Sequence, residues 1–362
     1  MILAGGFGTR LRPLSCTRPK TLFPVVNKPL LQWILERLAK NNIKEAILAV
    51  NGLTEFYIKK HRIPKNGVHV KYSIDPPKTP LGTAGPIKKA QKLLRNNEPF
   101  LVLNGDIFED VNYNEIIEKH RENHATATIA LCKVEDPNRY GVAEMAEDNR
   151  ITRFVEKPAK GTAATNLINA GIYVLNPEIL TLIPKGKKVS MEREIFPILA
   201  EQGKLYGHVI HGLWIDIGKP EEYLQTNKII LDTLTKTKTR KTKNQTYKTQ
   251  TPIALDKGVT IGKNSIIGPY AIIGKNVIIG KNVHITNTVV FPDAKIDDNA
   301  SINGAIIGEN AEIGKKVKIT QGCIIADQAK IKNNISLTDG TAVCPAKEVT
   351  EKRNTLKSKI IC

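Results

Sequence analysis

The feature that most constrains the fold is a six-residue period near the carboxyl-terminal end of the chain. An aliphatic residue recurs every six positions in two registers, and in the first register four of the five are followed by glycine. Neither an α-helix nor a flat strand has this period, whereas each hexapeptide of a left-handed parallel β-helix forms one side of a triangular coil. The sequence therefore predicts a left-handed parallel β-helix over residues 253–345. Its inward residues are Ile261, Ile267, Ile273, Ile279 and Ile285, then Ile307, Ile313, Ile319, Ile325, Ile331 and Leu337.

The chain before residue 233 is organised differently, because strand-like and helix-like segments alternate there. Short apolar runs at 46–50 and 100–103 are typical of buried strands. An apolar face recurs from Leu30 to Leu38, and Pro86 opens a second helical pattern. This alternation predicts an α/β domain over residues 1–232, with a Rossmann-like, mostly parallel sheet covered by helices.

A glycine-rich turn follows the first short apolar run of the chain. Gly5, Gly6 and Gly8 permit unusual backbone angles, while Arg10 and Lys20 add positive charge. Such a turn after a strand can direct backbone N–H groups at phosphate. The spacing matches neither the dinucleotide fingerprint nor the P-loop. On these residues alone, a plain strand-to-helix connection stays open as the alternative.

Two segments lack the apolar pattern of a packed domain. Residues 233–252 include a run rich in lysine and threonine, which predicts a solvated linker. We interpret residues 346–362 as a carboxyl-terminal tail. The five cysteines form no C-x-x-C pair, which argues against a zinc site or a disulfide framework and fits a reducing, cytoplasmic location. Cys344 is expected to be a free thiol packed at the end of the coil.

The formal net charge of +19 raises the question of nucleic-acid binding. The excess is mostly lysine spread along the chain, and aromatic residues make up only 5%, so a base-stacking surface is not indicated. Attraction of small anionic substrates is the simpler interpretation. No apolar run is long enough for a membrane span. The short apolar start predicts no signal peptide, and we expect the natural chain to start a residue or two earlier.

Eight motifs follow one another along the chain, namely GGFGTRLRPL, RPKT, PLGTAGP, NGD, YGV, FVEKP, INAGIYVL and WIDIGKP. Together they carry a resemblance to a known family. The chain is similar to the sugar-nucleotide pyrophosphorylases, which join a nucleoside triphosphate to a sugar 1-phosphate. Within that group it most resembles mannose-1-phosphate guanylyltransferases that carry a hexapeptide domain. The resemblance implies formation of GDP-mannose from GTP and mannose 1-phosphate.

The chemistry of that reaction explains which residue types it needs. A sugar phosphate oxygen must attack the α-phosphorus of a nucleotide, so two anions have to be neutralised and aligned. The resemblance places Mg²⁺ between Asp106 and Asp216, which the sequence alone could not pair. It also places Arg10 and Lys20 on the triphosphate and Lys157 on the sugar phosphate. These five residues are the predicted catalytic set.

The same resemblance supplies the remaining predicted binding residues. Glu156 is expected to accept hydrogen bonds from sugar hydroxyls. The predicted nucleotide-binding residues are Ala4, Gly5, Gly6, Gly8, Thr9, Arg10, Lys20, Gly82 and Thr83. The predicted sugar-phosphate-binding residues are Gly141, Glu156, Lys157, Asn169 and Gly171.

Several alternatives stay open from the sequence. Residues 74–79 form a longer and more basic stretch than relatives have, next to the expected base pocket, so the base is open. A glucose-1-phosphate uridylyl- or thymidylyltransferase has the same fold. A non-catalytic relative resembling translation initiation factor 2B subunits is a second alternative. A third adds acyl transfer at His284 of the coil. Coils of this kind pack against copies of themselves, so we expect a homo-oligomer.

Overall fold

The computed structural model describes residues 1–6, 8–76, 80–95, 97–235, 246–338, 340–350 and 360–362. These residues form two compact units. The first, which we call the sheet unit, contains Met1–Gly6 and Leu31–Asp216. The second, the coil unit, contains Phe7–Leu30 and Ile217–Cys362. The chain therefore leaves the sheet unit after its first strand and returns to it at the first long helix.

The secondary structure before the coil consists of short strands and helices. The α-helices are α1 (Leu30–Lys40), α2 (Gly52–Lys60), α3 (Ala84–Lys89), α4 (Tyr113–Glu122), α5 (Phe196–Glu201) and α6 (Pro220–Thr235). The strands are β1 (Ile2–Leu3), β2 (Pro24–Val25), β3 (Lys28–Pro29), β4 (Glu45–Val50), β5 (His69–Ile74), β6 (Phe100–Asn104), β7 (Ile107–Glu109), β8 (Ala127–Lys133), β9 (Gly141–Met145), β10 (Ile151–Glu156), β11 (Leu167–Leu175), β12 (Leu205–Val209) and β13 (Trp214–Asp216).

A nine-stranded mixed sheet is the centre of the sheet unit. Its spatial order is β10-β9-β11-β6-β1-β4-β5, with β8 beside β11 and β12 beside β8. The strands β6, β1, β4 and β5 run parallel to one another. Beyond them β11 pairs antiparallel with β6, β9 antiparallel with β11, and β10 antiparallel with β9. The predicted α/β architecture is confirmed, and both predicted buried strands are present as β4 and β6. The carboxyl ends of β1, β4 and β5 lie at one edge, where such sheets bind ligands.

The predicted amphipathic helix is α1. Its predicted apolar positions, from Leu30 to Leu38, are buried. Burial of such a face supplies most of a short helix's stability, because isolated helices of this length are marginal in water. The second predicted helix begins two residues before Pro86, as α3, and continues as a 3-10 turn over Ala90–Leu93.

The coil unit contains a parallel β-helix, which confirms the left-handed β-helix prediction. The strands form three parallel sheets, and neighbouring strands within a sheet come from successive turns of the coil. The strands are β14 (Lys248–Thr249), β15 (Ile253–Leu255), β16 (Thr260–Ile261), β17 (Ile266–Ile267), β18 (Ala271–Ile273), β19 (Ile278–Ile279), β20 (His284–Thr286), β21 (Val289–Val290), β22 (Lys295–Ile296), β23 (Ser301–Asn303), β24 (Ile306–Ile307), β25 (Glu312–Ile313), β26 (Lys318–Ile319), β27 (Ile324–Ile325), β28 (Lys330–Ile331), β29 (Ser336–Leu337), β30 (Ala342–Val343), β31 (Glu348–Val349) and β32 (Ile360–Ile361).

The inward aliphatic residues of the coil form one continuous core. Ten of the eleven residues that define the six-residue period are buried in that core, and Ile261 packs against it at the first turn. Because each strand is only two or three residues long, the backbone hydrogen bonds come from the neighbouring turns of the coil. The stack of turns, rather than any single strand, is the stable element.

The coil is longer than the sequence predicts. Instead of a tail after residue 345, β31 and β32 continue the sheets, with Val343 paired to Ile361. Ile361 is buried because it extends the same inward aliphatic row. Within the predicted linker, α6 reaches Thr235 and β14 already belongs to the coil, while residues 236–245 lie outside the described residues.

One cysteine expectation is corrected by the structure. Cys344 and Cys362 form a disulfide rather than leaving Cys344 as a free thiol. The pairing follows from the extra turn of the coil, since the β30–β32 ladder brings the last residue beside Cys344. Cys132 and Cys323 are buried free thiols, and Cys16 is exposed.

Candidate active site

The two predicted metal ligands are brought together by one short antiparallel ladder. The strand β7 starts directly after Asp106, and β13 ends at Asp216. In this ladder Asp216 lies opposite Ile107, so it is next to the position of Asp106. The pairing of two strands that are distant in sequence therefore brings Asp106 and Asp216 to neighbouring positions, which their spacing along the chain could not predict.

This pair of residues suits a magnesium ion. Both residues are half-buried. Among the residues that the structure describes, no group of three or more His, Cys, Asp and Glu side chains is arranged to hold a metal. Magnesium is usually bound by one or two carboxylates and completes its shell with water and phosphate oxygens. Asp106 and Asp216 would hold it on the protein side.

The strand β11 packs directly against this ladder. Gly171 has a φ of +70°, and a Cβ there would lie 2.6 Å from the Asn104 side-chain nitrogen, so only glycine fits. Asn169 stabilises this irregular part of β11 by accepting a 2.8 Å hydrogen bond from the Gly171 N–H. Trp214 donates a 2.8 Å bond from its indole to the Ala170 carbonyl. The predicted sugar-side residues of β11 are thus held against the strand that ends at Asp216.

A second part of the predicted sugar-side wall is formed by β9 and β10. A Cβ on Gly141 would lie 2.9 Å from a carboxylate oxygen of Glu156. The Lys157 N–H donates a 2.9 Å bond to the Tyr140 carbonyl, and its ammonium lies 3.6 Å from Glu156. The Lys157 side chain is 59% exposed, while that of Glu156 is 15% exposed. The wall therefore presents a sheltered acceptor beside an accessible cation.

The environment of Glu156 changes its ionisation. Burial raises the pKa of this carboxyl, and the negative charge of Glu192 raises it further. Lys157 and Arg193 act in the opposite direction but do not cancel the effect. Glu156 therefore releases its proton at a higher pH than an ordinary glutamate does.

Glu192 contacts Thr83, a predicted site residue, although the sequence does not single out Glu192. It lies in a π-helical turn over Met191–Ile195, a rare element that is frequent at functional sites. Its carboxylate accepts hydrogen bonds from Thr83 and Ser190, each at 2.6 Å, and from the Tyr173 hydroxyl at 3.3 Å. In the sequence it stands next to Arg193 and is indistinguishable from ordinary surface charge, so no local signal identifies it.

The same carboxylate joins two predicted regions of the site. Thr83 belongs to the predicted base-reading loop, and its hydroxyl also accepts a 2.9 Å bond from the Met191 N–H. Tyr173 is fully buried and accepts a 2.9 Å bond from Asn169 of the sugar side. A chain of hydrogen bonds therefore runs from the base-reading loop through Glu192 to the sugar-side wall.

Gly82 precedes Thr83 and has little room. Its φ is +72°, and a Cβ would collide with the Val189 carbonyl. The neighbouring Ala84 N–H donates a 3.0 Å bond to that same carbonyl. The backbone of the Gly82–Ala84 loop therefore packs closely against Val189, which lies just before the π-helical turn over Met191–Ile195.

The start of the glycine-rich turn lies at the ligand-binding edge of the sheet unit. Ala4 continues the β1 ladder through a 2.8 Å bond to the Ala49 carbonyl. Asn51 donates a 3.0 Å bond to the Gly5 carbonyl, and Gly6 is exposed with open space around its Cα. A Cβ on Gly5 would lie 3.2 Å from a carboxylate oxygen of Asp75.

The rest of the turn belongs to the coil unit. Gly8 adopts a left-handed conformation with φ +58°, and the 3-10 turn Thr9–Leu11 follows it. Arg10 is exposed and lies close to Gly218. Lys20 is only 7% exposed and opens a further 3-10 turn, and its Cβ lies near Gly8. Of the predicted catalytic set, Asp106, Lys157 and Asp216 thus belong to the sheet unit, whereas Arg10 and Lys20 belong to the coil unit.

Comparison with known proteins decides the family. A family model described as "Nucleotidyl transferase" matches residues 1–233, and one described as "GMPPB C-terminal domain" matches residues 249–361. The chain belongs to the nucleotidyl transferase family. The family prediction made from the eight motifs is therefore confirmed.

Relatives of this nucleotidyltransferase match it from end to end. A mannose-1-phosphate guanyltransferase of Debaryomyces hansenii is 38% identical over 356 residues, which covers 97% of this chain and 96% of the relative. A Danio rerio protein named mannose-1-phosphate guanylyltransferase catalytic subunit beta is 35% identical over 365 residues, with 97% of each chain covered.

A solved structure is similar to the amino-terminal part of the nucleotidyltransferase. The crystal structure of HddC from Yersinia pseudotuberculosis, complexed with GMP-PN, has a TM-score of 0.53 and 30% sequence identity. The match covers 63% of this chain and 97% of the other. Among the described residues of the nucleotidyltransferase, no helix has the length and apolar character needed to cross a membrane.

Proposed function

We propose that this protein transfers a guanylyl group from GTP to mannose 1-phosphate, releasing pyrophosphate and forming GDP-mannose. The observation that carries the proposal is the β7–β13 ladder, which puts Asp106 and Asp216 at neighbouring positions beside the β11 wall. A pair of carboxylates, with a sheltered acceptor and an accessible lysine in the same unit, suits the coupling of two phosphate anions.

The reaction needs no covalent enzyme intermediate. A phosphate oxygen of the sugar attacks the α-phosphorus, a new P–O bond forms, and the bond to the β-phosphate oxygen breaks with its electrons leaving on pyrophosphate. Lys157 neutralises the attacking phosphate, and Glu156 orients the sugar by accepting bonds from its hydroxyls. We assign Arg10 and Lys20 to the triphosphate, where fixed positive charges lower the repulsion between the reactants.

Magnesium, when bound, neutralises phosphate charge that is present throughout the transfer. The residues we assign to it are Asp106 and Asp216, because an oxygen-only pair is the donor set that a hard cation takes. Phosphate oxygens of the nucleotide and water complete the shell of such an ion. We further propose that the protein works in the cytoplasm as a homo-oligomer, as expected for a coil with flat outer faces.

Two observations support guanine as the base. The full-length relatives described above are named mannose-1-phosphate guanyltransferases. In this chain, Asp75 follows β5 at the edge that carries Gly5, and one of its carboxylate oxygens is buried with no hydrogen-bond partner among the described residues. Buried acceptors are normally paired, so this oxygen suits a ligand donor.

The chemistry of the base decides which donor fits. Guanine presents a ring N–H and an exocyclic amino group side by side, whereas thymine and uracil present a single N–H between two carbonyl oxygens. A carboxylate would accept both guanine hydrogens and would be repelled by the pyrimidine carbonyls. We therefore assign Asp75 to guanine recognition. Of the basic stretch 74–79 that contains Asp75, residues 77–79 lie outside the described residues.

A screen of pyrophosphate release tests the proposed function. Purified protein with magnesium is offered GTP, ATP, UTP or dTTP in combination with mannose 1-phosphate or glucose 1-phosphate. The fastest release is expected with GTP and mannose 1-phosphate. Faster release with UTP or dTTP and glucose 1-phosphate would favour the thymidylyl or uridylyl alternative. No release from any pair by folded protein would favour a non-catalytic relative.

A further inference from the structure

One outer face of the coil is apolar and yet buried. In the sheet that contains β18, β21, β24 and β27, the outward residues Ile272, Val289, Ile306 and Ile324 are each no more than 6% exposed. Other elements of the coil unit provide partners on this side. Asn27 donates a 2.9 Å bond to the Ile273 carbonyl, and the aromatic rings of Phe23 and Phe291 meet edge to face at 6.1 Å.

The covering segment comes from the beginning of the chain. Residues 8–30 include the end of the glycine-rich turn, Lys20 and the hairpin β2–β3. Tyr223 of α6 donates a hydrogen bond to the Pro24 carbonyl, and Asn227 accepts a 2.8 Å bond from the Val26 N–H. The segment is thus fixed between α6 and the coil.

Arg18 makes the most specific of these contacts. Its guanidinium forms ion pairs with Glu309 and, at 3.7 Å, with Asp327, and its carbon lies 4.9 Å above the ring centroid of Phe291. The side chain is only 9% exposed. A planar guanidinium that meets two carboxylates and an aromatic face is an arrangement that lysine cannot reproduce. We call Phe291, Glu309 and Asp327 the arginine socket.

The coil itself holds the socket in place. Glu309 and Asp327 lie at equivalent places on successive turns, each two residues after the paired Ile307 and Ile325. One Asp327 oxygen accepts a 2.7 Å bond from the Glu309 N–H, and the other accepts a 2.8 Å bond from the Thr17 hydroxyl. Because both Asp327 oxygens accept hydrogen bonds, this carboxylate is fixed in the orientation in which it faces the Arg18 guanidinium.

Arg18, which the socket holds, is separated by a single residue from Lys20, a predicted catalytic cation. Only Pro19, whose ring restricts the backbone, separates Arg18 from Lys20. The turn after Lys20 is closed by a 3.0 Å bond from the Phe23 N–H to the Lys20 carbonyl. Contacts with the coil therefore hold the chain on both sides of Lys20. Before it in sequence, Arg18 lies in the socket; after it, Phe23 packs against Phe291.

We infer that Arg18 is a positioning residue that uses the coil to fix the Lys20 turn. The β-helix thereby contributes to nucleotidyl transfer, although none of its residues is assigned to a substrate. This inference rests on the proposed function, since it takes the assignment of Lys20 to the triphosphate from it. Removal of the guanidinium leaves two sheltered carboxylates without their cation, a change that opens the local structure.

The test compares Arg18→Met with Arg95→Met in the full chain. Arg95 is a matched control, because it also pairs with a glutamate but its side chain is 67% exposed. The first readout is the rate at which an amine-reactive acylating reagent modifies Lys20. Mass spectrometry measures this rate relative to the rate for the exposed Lys157 in the same sample. We expect Lys20 to react about tenfold faster in Arg18→Met and unchanged in Arg95→Met.

The second readout is steady-state kinetics with GTP and mannose 1-phosphate. Arg18→Met is expected to lower kcat/KM for the nucleotide about tenfold to a hundredfold, with a much smaller effect on the KM for the sugar phosphate. A purely structural role would instead lower the amount of active protein and leave both KM values unchanged. Arg18→Lys, which keeps the charge without the planar fork, is expected to recover only part of the loss.

The milder Asp327→Asn variant keeps the test decisive if Arg18→Met does not fold. It removes one charge and keeps the shape, and we expect Lys20 to react about threefold faster. Unchanged Lys20 reactivity in the folded variants would overturn the inference. The labelling readout does not depend on turnover. An inactive wild-type protein would therefore contradict the proposed function without deciding whether Arg18 positions Lys20, which the labelling decides on its own.

Discussion

The sugar-side wall depends on a neighbouring pair of carboxylates, Glu156 and Glu192. Glu156 is the predicted acceptor for sugar hydroxyls, and burial together with the charge of Glu192 raises its pKa. Since the folded protein favours the protonated form, Glu156 contributes stability at low pH that is lost as the pH rises through the raised pKa. Sugar binding has the opposite dependence, because only the ionised form accepts bonds with both oxygens.

This opposition gives a pH prediction. As the pH falls, the KM for the sugar phosphate should begin to rise at a higher pH than an ordinary glutamate would cause. Glu192→Gln removes the neighbouring charge and keeps a carbonyl acceptor, so the acidic limb of log(kcat/KM) should move to lower pH. A pH profile with mannose 1-phosphate measures the shift. The exposed Glu201→Gln serves as the control, and an unmoved limb in Glu192→Gln would contradict the coupling.

Asp75 carries the prediction about the base. Asp75→Asn turns one acceptor oxygen into a donor, so it should oppose the guanine hydrogens. We expect the ratio of kcat/KM for GTP over UTP to fall by about tenfold to a hundredfold, because a mismatched buried polar group is costly. Competition assays with both nucleotides measure this ratio. An unchanged ratio in a folded variant would remove Asp75 from base recognition.

Single residues also show where sequence reasoning ends. Asp106 and Asp216 are identified because each stands inside a distinctive motif, although only the β7–β13 ladder pairs them. Glu192 escapes notice, and Asp75 is noted only as part of the stretch 74–79, because their contacts are with residues far away in sequence, such as Thr83 and Gly5. An acid on a charged stretch of chain has no local signal that separates a buried contact from solvated surface charge.

At the scale of elements, the loop at Gly82 and the π-helical turn support each other. Gly82→Ala would add a Cβ against the Val189 carbonyl at a left-handed φ. Gly67 provides a matched control, since it has a φ of +82° with nothing within 4 Å of the added atom. We expect Gly67→Ala to cost about 1 kcal/mol of unfolding free energy and Gly82→Ala about 2 kcal/mol more. Denaturant unfolding of both variants checks the difference, and equal losses would contradict the close packing described here.

The elements differ in how well the sequence predicts them. The coil is predictable almost residue by residue, because its inward aliphatic residues recur with one fixed period and need no distant partner to be recognised. Its end is harder to place, because Val343 and Val349 keep the spacing of six beyond Leu337 but residues 351–359 interrupt the apolar pattern before Ile361 resumes it. The disulfide between Cys344 and Cys362 was missed for the same reason.

At the scale of the whole molecule, chain order and packing give different divisions. The motifs and the two family models separate the chain between residues 233 and 249. The packing instead assigns residues 7–30 and 217–235 to the unit that contains the coil. This division by packing cannot be predicted from the sequence, because the contacts of Arg18 with Glu309 and Asp327 join residues about three hundred positions apart.

The central claim is that Asp106 and Asp216 form one metal-binding pair that carries nucleotidyl transfer. The most direct measurement is the rate of pyrophosphate release from GTP and mannose 1-phosphate by the Asp106→Asn and Asp216→Asn variants. Asp110→Asn is the control, because Asp110 follows the same strand but its side chain is 63% exposed and pairs with Arg37. We predict a loss of about a thousandfold in kcat for both ligand variants, with circular dichroism unchanged and the control fully active. Near-normal turnover in either ligand variant would contradict the claim.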